Sequence, residues 1–169
     1  SVPQRRGKYW YYGRTEEGQE YGYSCRIPVS EGSDPWTPPH IPEDGAPDGE
    51  QVLLDVNALA EGHDFFALGA STVSDSGDLL AYSVDVAGDE RFELFIKDLR
   101  TGELLEDRLE GIFYGGVWAG EEFIFYTTVD DAWRPDTVWR HRVGTPQSED
   151  VVVMREEDGR FGLGIGTTR

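Results

Sequence analysis

An internal repeat restricts the fold of this chain more than any other feature of its sequence. A shift of 44 residues aligns Val73 with Val117, Leu79 with Phe123, Tyr82 with Tyr126, Leu94 with Val138, Phe95 with Trp139, Leu99 with Val143 and Thr101 with Thr145. A period of about 40 to 50 residues is typical of β-propeller blades, each a four-stranded antiparallel sheet that stacks on its neighbours. The repeat predicts an all-β fold, a partial β-propeller. A meander of similar hairpins in a small β-sandwich is the alternative.

Short aromatic and β-branched segments alternate with turn-forming clusters, and no long segment has helical periodicity. The predicted strands are Tyr9 to Arg14, Tyr21 to Ile27, Gln51 to Asp55, Leu79 to Asp85, Phe92 to Leu99, Phe123 to Val129 and Thr137 to Val143. The segment from Asn57 to Gly62 predicts one helical turn that the glycine ends.

The repeat divides the chain into about two and a half blades. We predict a first blade at about 7–56, a second at about 68–109, a third at about 114–155, and the start of a fourth at about 160–169, with Phe161 to Ile165 as its first strand. Closed propellers have about 4 to 8 blades, so we expect the chain to be a segment of a larger propeller.

The first repeat copy contains an insertion at 32–49. Tyr12 and Tyr82 are 70 residues apart instead of 44, and the extra residues include Pro35, Pro38, Pro39, Pro42 and Pro47. Proline disfavours both helices and sheet ladders, which predicts a solvated loop. Trp36 in this loop is the side chain that we expect to dock against another surface.

The charge balance disfavours several classes of partner. Lys and Arg number 15 against 33 Asp and Glu, which gives a net charge of -18. Such a surface repels phosphate backbones and anionic headgroups, so we expect neither nucleic acid nor a membrane as a partner. Apolar runs such as Phe123 to Tyr126 are far shorter than the roughly 20 residues of a membrane-spanning helix. The single cysteine, Cys25, and the lack of a signal-peptide pattern favour a cytoplasmic protein.

The sequence offers no catalytic, cofactor-binding or metal-binding residue that we would assign. Ser71 lacks the G-x-S-x-G pattern of a hydrolase nucleophile and lies where a strand is expected. His40, His63 and His141 have no metal-binding spacing; we expect His40 to be exposed and the other two to have surface or hydrogen-bonding roles. Cys25 is interpreted as a packed thiol within a strand.

Other short motifs have structural interpretations. Asp75 to Asp78 predicts a turn between two strands, and Gly162 to Gly166 is too short for a dinucleotide-binding loop. Tyr9 to Tyr12, with Tyr21 and Tyr23, predicts a packed hairpin rather than a stacking platform. We expect the acidic clusters to form solvated edges; their members are Glu103, Glu106, Asp107, Glu110, Glu149, Asp150, Glu156, Glu157 and Asp158.

Several segments together resemble one peptidase family. They are Ser1 to Pro3, Gly7 to Tyr12, Arg14 to Tyr21, Leu54 to Asn57, Ala60 to His63, Leu94 to Lys97 and Val138 to Thr145. Each is similar to the N-terminal propeller of the prolyl oligopeptidase family of serine peptidases, closest to its oligopeptidase B branch. The resemblance covers nearly the whole chain except the proline-rich loop.

The resemblance implies a cytosolic parent enzyme with a seven-bladed propeller and an α/β-hydrolase domain that carries a Ser-Asp-His triad. The propeller would filter substrates by size, and oligopeptidase B relatives cleave short peptides after Lys or Arg. The hydrolase domain of the same parent chain is then the expected partner, with short basic peptides as substrates. Because the catalytic domain is absent from these 169 residues, we expect no activity from them alone.

Two alternatives stay open. A free-standing, propeller-like binding module without catalysis would have to oligomerise, because open sheet edges promote self-association. A proline-specific oligopeptidase would share the same propeller but cleave different peptides.

Overall fold

The computed structural model describes residues 1–168 and divides into two compact units, Ser1–Gly62 and a second from His63 onward. The first unit holds one antiparallel sheet of order β1-β2-β3-β4, followed by a short helix. Its elements are β1 Gln4–Arg6, β2 Tyr9–Arg14, β3 Tyr23–Pro28, β4 Gln51–Asp55 and α1 Val56–Ala60.

Side-chain alternation explains the β2 hairpin. Trp10 and Tyr12 are buried, whereas Tyr9 and Tyr11 are half-buried and their rings meet edge to face at 6.2 Å. This is the packed hairpin that the aromatic run predicts.

The predicted strand from Tyr21 begins two residues later, at Tyr23. Tyr21 pairs with a side chain instead of a neighbouring strand: its amide donates to Asn57 Oδ1 at 2.9 Å, and Asn57 Nδ2 donates to its carbonyl at 3.0 Å. The predicted helical turn forms as α1, which Asp55 caps by accepting a hydrogen bond from the Ala58 amide.

The second unit holds two more four-stranded antiparallel sheets, each with sequential strand order. Their strands are β5 Ala67–Val73, β6 Leu79–Asp85, β7 Arg91–Asp98, β8 Leu104–Phe113, β9 Gly116–Ala119, β10 Phe123–Val129, β11 Pro135–Arg142 and β12 Val151–Arg155. A 3-10 turn, Gln147–Glu149, lies between β11 and β12.

The two sheets of this unit share one hydrophobic core. Both sheets contribute to it, and the middle strands dominate because their apolar side chains alternate inward. Its buried members are Ala81, Phe92, Leu94, Ile96, Leu109, Ile112, Trp118, Ile124 and Tyr126.

The strands that were not predicted, β1, β8, β9 and β12, are all outer strands of their sheets, whereas the outer strand β4 has its predicted bounds and β5 lies where a strand was expected at Ser71. β8 extends past the predicted limit of its blade at residue 109, and β1 lies before the predicted start at residue 7. All residues of β1 are exposed, and its sequence has no apolar residue on which a strand prediction could rest. All residues of β12 are also exposed, although four of its five residues are apolar.

Phe161 to Ile165 form no strand within residues 1–168. The Leu163 amide donates to the Pro135 carbonyl at 2.7 Å, which holds the segment beside β11. The start of a fourth blade stays a prediction. Within residues 1–168, no helix is long and apolar enough to cross a membrane.

Candidate functional site

A buried histidine lies between two carboxylates in the second unit. His141 on β11 is fully buried, with Nδ1 2.6 Å from Asp150 Oδ1 and Nε2 2.7 Å from Asp107 Oδ2. Asp107 belongs to β8 of one sheet, whereas Asp150 directly precedes β12 of the other. The histidine ring therefore joins the two sheets.

Each carboxylate of this cluster accepts a further hydrogen bond. The Gly144 amide donates to Asp107 Oδ2 at 2.8 Å, and the Tyr126 hydroxyl donates to Asp150 Oδ2 at 2.6 Å. Buried carboxylates tolerate the loss of water only when such donors replace it, which explains why the cluster is stable inside the protein.

The electrostatics favour a charged histidine. Burial by itself lowers the pKa of His141, but the hydrogen bonds and charges of Asp107 and Asp150 outweigh it and raise the pKa above the usual value. Burial likewise opposes ionisation of Asp107, yet His141 and the Gly144 amide lower its pKa. Both ring nitrogens face carboxylate oxygens, which accept but cannot donate when ionised, so the geometry fits an imidazolium ion.

Further hydrogen bonds join the same two sheets. Gln147 pairs with the backbone of Glu110 in both directions, accepting from its amide at 2.9 Å and donating to its carbonyl at 3.0 Å. Trp118 Nε1 donates to the Thr72 carbonyl at 2.9 Å. Polar contacts thus align two sheets that an apolar core alone would leave free to slide.

The cluster is not built for acid-base or nucleophilic catalysis. A general base needs a free nitrogen that reaches a substrate proton, and carboxylates hold both nitrogens of His141. We therefore interpret the cluster as a clamp between sheets, and call it the His141 clamp.

A depression of about 360 Å³ lies beside Asp107; its walls are Leu105, Glu106, Asp107, Gly144, Thr145 and Pro146.

The first unit contains a related arrangement. The Tyr12 hydroxyl donates to Glu50 Oε2 at 2.6 Å, and Arg14 Nε donates to Glu50 Oε1 at 2.9 Å. Burial and Glu50 raise the pKa of Tyr12, whereas Arg14 and Tyr12 hold the pKa of Glu50 low against the opposing effect of burial. Cys25 lies buried nearby, and burial together with Glu50 raises the pKa of its thiol to about 12.

The sequence-predicted candidates are not brought together. Ser71 lies on β5, and His40 and His63 are exposed, with the His63 ring 6.5 Å from that of Phe66. Cys25 is a packed thiol in β3, as predicted. Among residues 1–168, no group of three or more acidic, histidine or cysteine side chains is arranged to hold a metal ion.

The prediction that the acidic clusters are solvated edges is wrong for Asp107 and Asp150. Both side chains are buried because His141 provides a charged partner inside the protein. A partial signal was present: Tyr12 and Tyr126 are equivalent in the repeat, and an acidic residue directly precedes the last strand of both their sheets, Glu50 in one and Asp150 in the other. The signal is not sufficient, because Glu103 has the same position in the third sheet and is exposed.

Three successive four-stranded antiparallel meanders are the repeating unit of a β-propeller. A family profile described as "Prolyl oligopeptidase, N-terminal beta-propeller domain" matches residues 1–169. The chain belongs to this family.

Individual relatives agree with the family. The chain is 38% identical to Dipeptidyl aminopeptidase BI of Pseudoxanthomonas mexicana, covering 100% of the chain and 24% of that protein. It is 33% identical to Protease 2 of Moraxella lacunata, covering 99% of the chain and 23% of that protein. Oligopeptidase B from Trypanosoma brucei, solved in a closed form with covalently bound antipain, matches with a TM-score of 0.82 and 36% identity over 98% of the chain and 22% of that structure. The chain thus spans about a quarter of the length of its curated relatives.

Proposed function

We propose that this chain is the gating and substrate-filtering propeller segment of a serine oligopeptidase that hydrolyses short peptides after Lys or Arg. The observation that carries the proposal is the match of the entire chain to the propeller family, with relatives named Protease 2 and oligopeptidase B. In such an enzyme the propeller restricts access to a catalytic domain elsewhere in the parent chain. Peptides reach the active site, and folded proteins do not.

The charge of the chain supports basic substrates. With a net charge of -18, the propeller raises the local concentration of cationic peptides by long-range attraction, which salt screens over about 8 to 10 Å at physiological ionic strength. The parent would be cytoplasmic, which is also a proposal and is testable by cell fractionation.

The full-length gene product tests the proposal directly. We expect it to cleave short peptides after Lys or Arg but not after Pro. We expect it to leave intact a folded protein that contains the same Lys and Arg cleavage sites. kcat/KM for an Arg peptide should fall as salt rises, with a neutral peptide as the control. If kcat/KM for the Arg peptide does not change with salt concentration, electrostatic selection of basic substrates is excluded.

A second candidate function rests on the 38% identity to a protein named Dipeptidyl aminopeptidase BI. An enzyme of that kind would release dipeptides from the N-terminus of a substrate. Mass spectrometry of the products separates the two: internal cleavage after Lys or Arg supports the first proposal, and sequential dipeptide release supports the second.

The free-standing binding module makes a different prediction. An immunoblot of the source cells would show a band at 19.0 kDa, and light scattering would show a closed oligomer. A band several-fold larger supports the parent peptidase.

A further inference from the structure

The first unit exposes one aromatic side chain to solvent. Within Ser1–Gly62 this side chain is Trp36, which is 87% exposed. It lies on the segment 29–50 between β3 and β4, which contains no strand or helix and which we call the Trp36 loop. Tryptophan has a large apolar surface and is enriched among the residues that dominate the energy of protein interfaces. An indole in this position therefore indicates an interaction surface.

The exposed apolar side chains of the second unit have a different explanation. Val151 to Met154 are all exposed on the outer strand β12, and others, such as Tyr114 and Trp133, lie at turns. Propeller sheets stack on neighbouring sheets, so we expect further parts of the parent chain to cover this unit. The Trp36 loop is not part of a sheet, and the stacking of blades does not account for its exposed indole.

Hydrogen bonds hold the Trp36 loop in place. The Asp34 carboxylate accepts from the Trp36 amide at 3.0 Å and from the Thr37 hydroxyl at 2.7 Å. The Arg5 guanidinium on β1 donates to the Pro35 carbonyl at 2.9 Å, which fastens the loop to the sheet. The indole is therefore presented on an ordered segment, and binding through it costs little conformational entropy.

A groove of about 360 Å³ lies beside the Trp36 loop. The β2–β3 hairpin and the loop both line it; the walls include Trp10, Ile27 and Pro28 from the hairpin and Ser30, Pro38 and Pro39 from the loop. Its volume is in the range of about 300–1,000 Å³ that is usual for binding sites, and aromatic and proline surfaces suit a flat apolar ring. Trp36 is not among the walls, so the indole does not fill the groove of its own copy.

Exposed charges of both signs surround the groove and the indole. The exposed carboxylates are on the Trp36 loop and the cations are on β1 and the turn after it; they are Glu31, Asp34, Glu43, Asp44 and Asp48, and Arg5, Arg6 and Lys8. The Val29 amide donates to the Lys8 carbonyl at 2.9 Å, so the cations lie beside the loop. Within residues 1–168 none of these charged side chains forms an ion pair.

This arrangement is self-complementary. Under a two-fold axis, a surface patch of one copy meets the same patch of the other copy. The protruding indole of each copy then faces the groove of the other, and the acidic loop of each copy faces the basic strand of the other. A purely basic partner would pair with the carboxylates but would meet Arg5, Arg6 and Lys8 with like charge. The presence of both signs favours a second copy of the same chain.

We propose that two copies of the protein associate through the Trp36 loop, with each Trp36 ring inserted into the groove of the other copy. A buried tryptophan removes about 150–250 Å² from water, and stable interfaces bury about 1,200–2,000 Å². The two rings and the two grooves that receive them supply much of this area, and the charged segments beside them supply the rest. The proposal goes beyond the proposed function, because the association does not depend on which peptides the parent cleaves.

Sedimentation velocity of the full-length protein at micromolar concentration tests the proposal. We expect a dimer, and we expect Trp36→Ala to raise its dissociation constant at least about tenfold, as for an interface residue that dominates binding. Leu104→Ala is the control, because it removes an exposed apolar side chain of the other unit and should leave the dissociation constant unchanged. A monomeric wild type, or a dimer that Trp36→Ala does not weaken, would overturn the proposal.

A variant of the groove provides the second measurement. Ser30→Trp places a ring in the groove and leaves Trp36 in place. The Ser30 carbonyl accepts from the Ser33 amide and hydroxyl, and these backbone contacts are available to any side chain at position 30. We expect Ser30→Trp to be monomeric and the matched variant Ser30→Ala, whose groove stays open, to form the dimer. Equal dimerisation of the two variants would show that the groove does not receive the indole, and would refute the proposal.

Hydroxyl-radical footprinting identifies what covers the indole. We expect Trp36 to be oxidised rapidly in dilute, monomeric protein and slowly at concentrations at which the dimer forms, with Trp118, 8% exposed, as the slow reference. Protection of Trp36 in the dilute monomer would contradict the proposal, because another segment of the parent chain would then cover it. Rapid oxidation of Trp36 in the dimer would contradict it too, because the copies would then meet elsewhere.

Discussion

Asp107 and His141 form a 2.7 Å hydrogen bond between neighbouring sheets, and both side chains are almost fully buried. The pair couples an interior position of β8 to the last but one residue of β11. Breaking a buried ion pair costs more than the pair contributes, because the remaining charge loses its partner without regaining water.

We expect Asp107→Ala to destabilise the interface between the two sheets by about 3–5 kcal/mol. The measurement is native-state hydrogen exchange at the amides of β8 and β11, which reports local opening even in a larger parent protein. The neighbouring exposed residue Glu106 provides the matched control, since Glu106→Gln should leave exchange unchanged. Equal exchange in both variants would refute the clamp.

The clamp should weaken as the pH rises. Because the folded-state pKa of His141 is raised, its contribution is complete below about pH 6.5, the unfolded value, and is lost as the pH rises through the folded pKa. Because the pKa of Asp107 is lowered, its contribution is present above about pH 3.9 and is lost as the pH falls through its folded pKa. The difference in stability between wild type and His141→Gln should therefore shrink from pH 6 to pH 9. A constant difference over this range would show that His141 is not charged in the folded protein.

The hydroxyl of Tyr126 should contribute more to the free energy of unfolding than the hydroxyl of Tyr82, its equivalent in the repeat. Tyr126→Phe removes a donor from the buried Asp150 carboxylate and should cost about 1–3 kcal/mol. Tyr82 packs on Phe95 at 5.7 Å, and burial alone raises its pKa, so Tyr82→Phe should cost less. Denaturation midpoints of the two variants compare them, and the reverse order would contradict the prediction.

Glu90→Gly should stabilise the β6–β7 turn by about 1 kcal/mol, because glycine adopts positive φ without the steric cost of a Cβ atom. Gly88→Ala, two residues earlier at φ 76°, should have the opposite sign. Thermal denaturation of both variants tests the pair. A loss of stability in Glu90→Gly would mean that the glutamate side chain makes a contact that outweighs the strain.

Cys25 should be inert in the folded protein. Its thiol is 1% exposed with a pKa of about 12, so little thiolate exists at pH 8 and reagents cannot reach it. Iodoacetamide at pH 8 should label Cys25 only after denaturation, as detected by mass spectrometry. Labelling of the native protein would show that the core of the first sheet opens.

The sequence by itself determined the architecture of the sheets. The 44-residue repeat and the alternation of residues such as Trp10, Tyr12, Ile124 and Tyr126 specify four-stranded meanders, because burial of one side-chain face per strand depends on period and hydrophobicity alone. The middle strands followed this rule. The outer strand β1 is exposed and has no apolar residue, whereas β8 buries Leu109 and Ile112 but was not predicted because charged residues interrupt its apolar pattern.

Only the tertiary structure decided which polar residues are buried as hydrogen-bonding partners between the sheets. Asp107, His141 and Asp150 look like ordinary surface residues in the sequence. Asp107 is 34 residues from His141 along the chain, and only the packing of two sheets brings its carboxylate within 2.7 Å of the imidazole ring. The same holds for Tyr114 and Trp133, whose exposure and positive φ depend on turns that Asp130 and Ser83 hold in place. Hydrophobic periodicity is a local property of a sequence, whereas partners for buried charges and the position of an exposed patch exist only once the sheets are packed together.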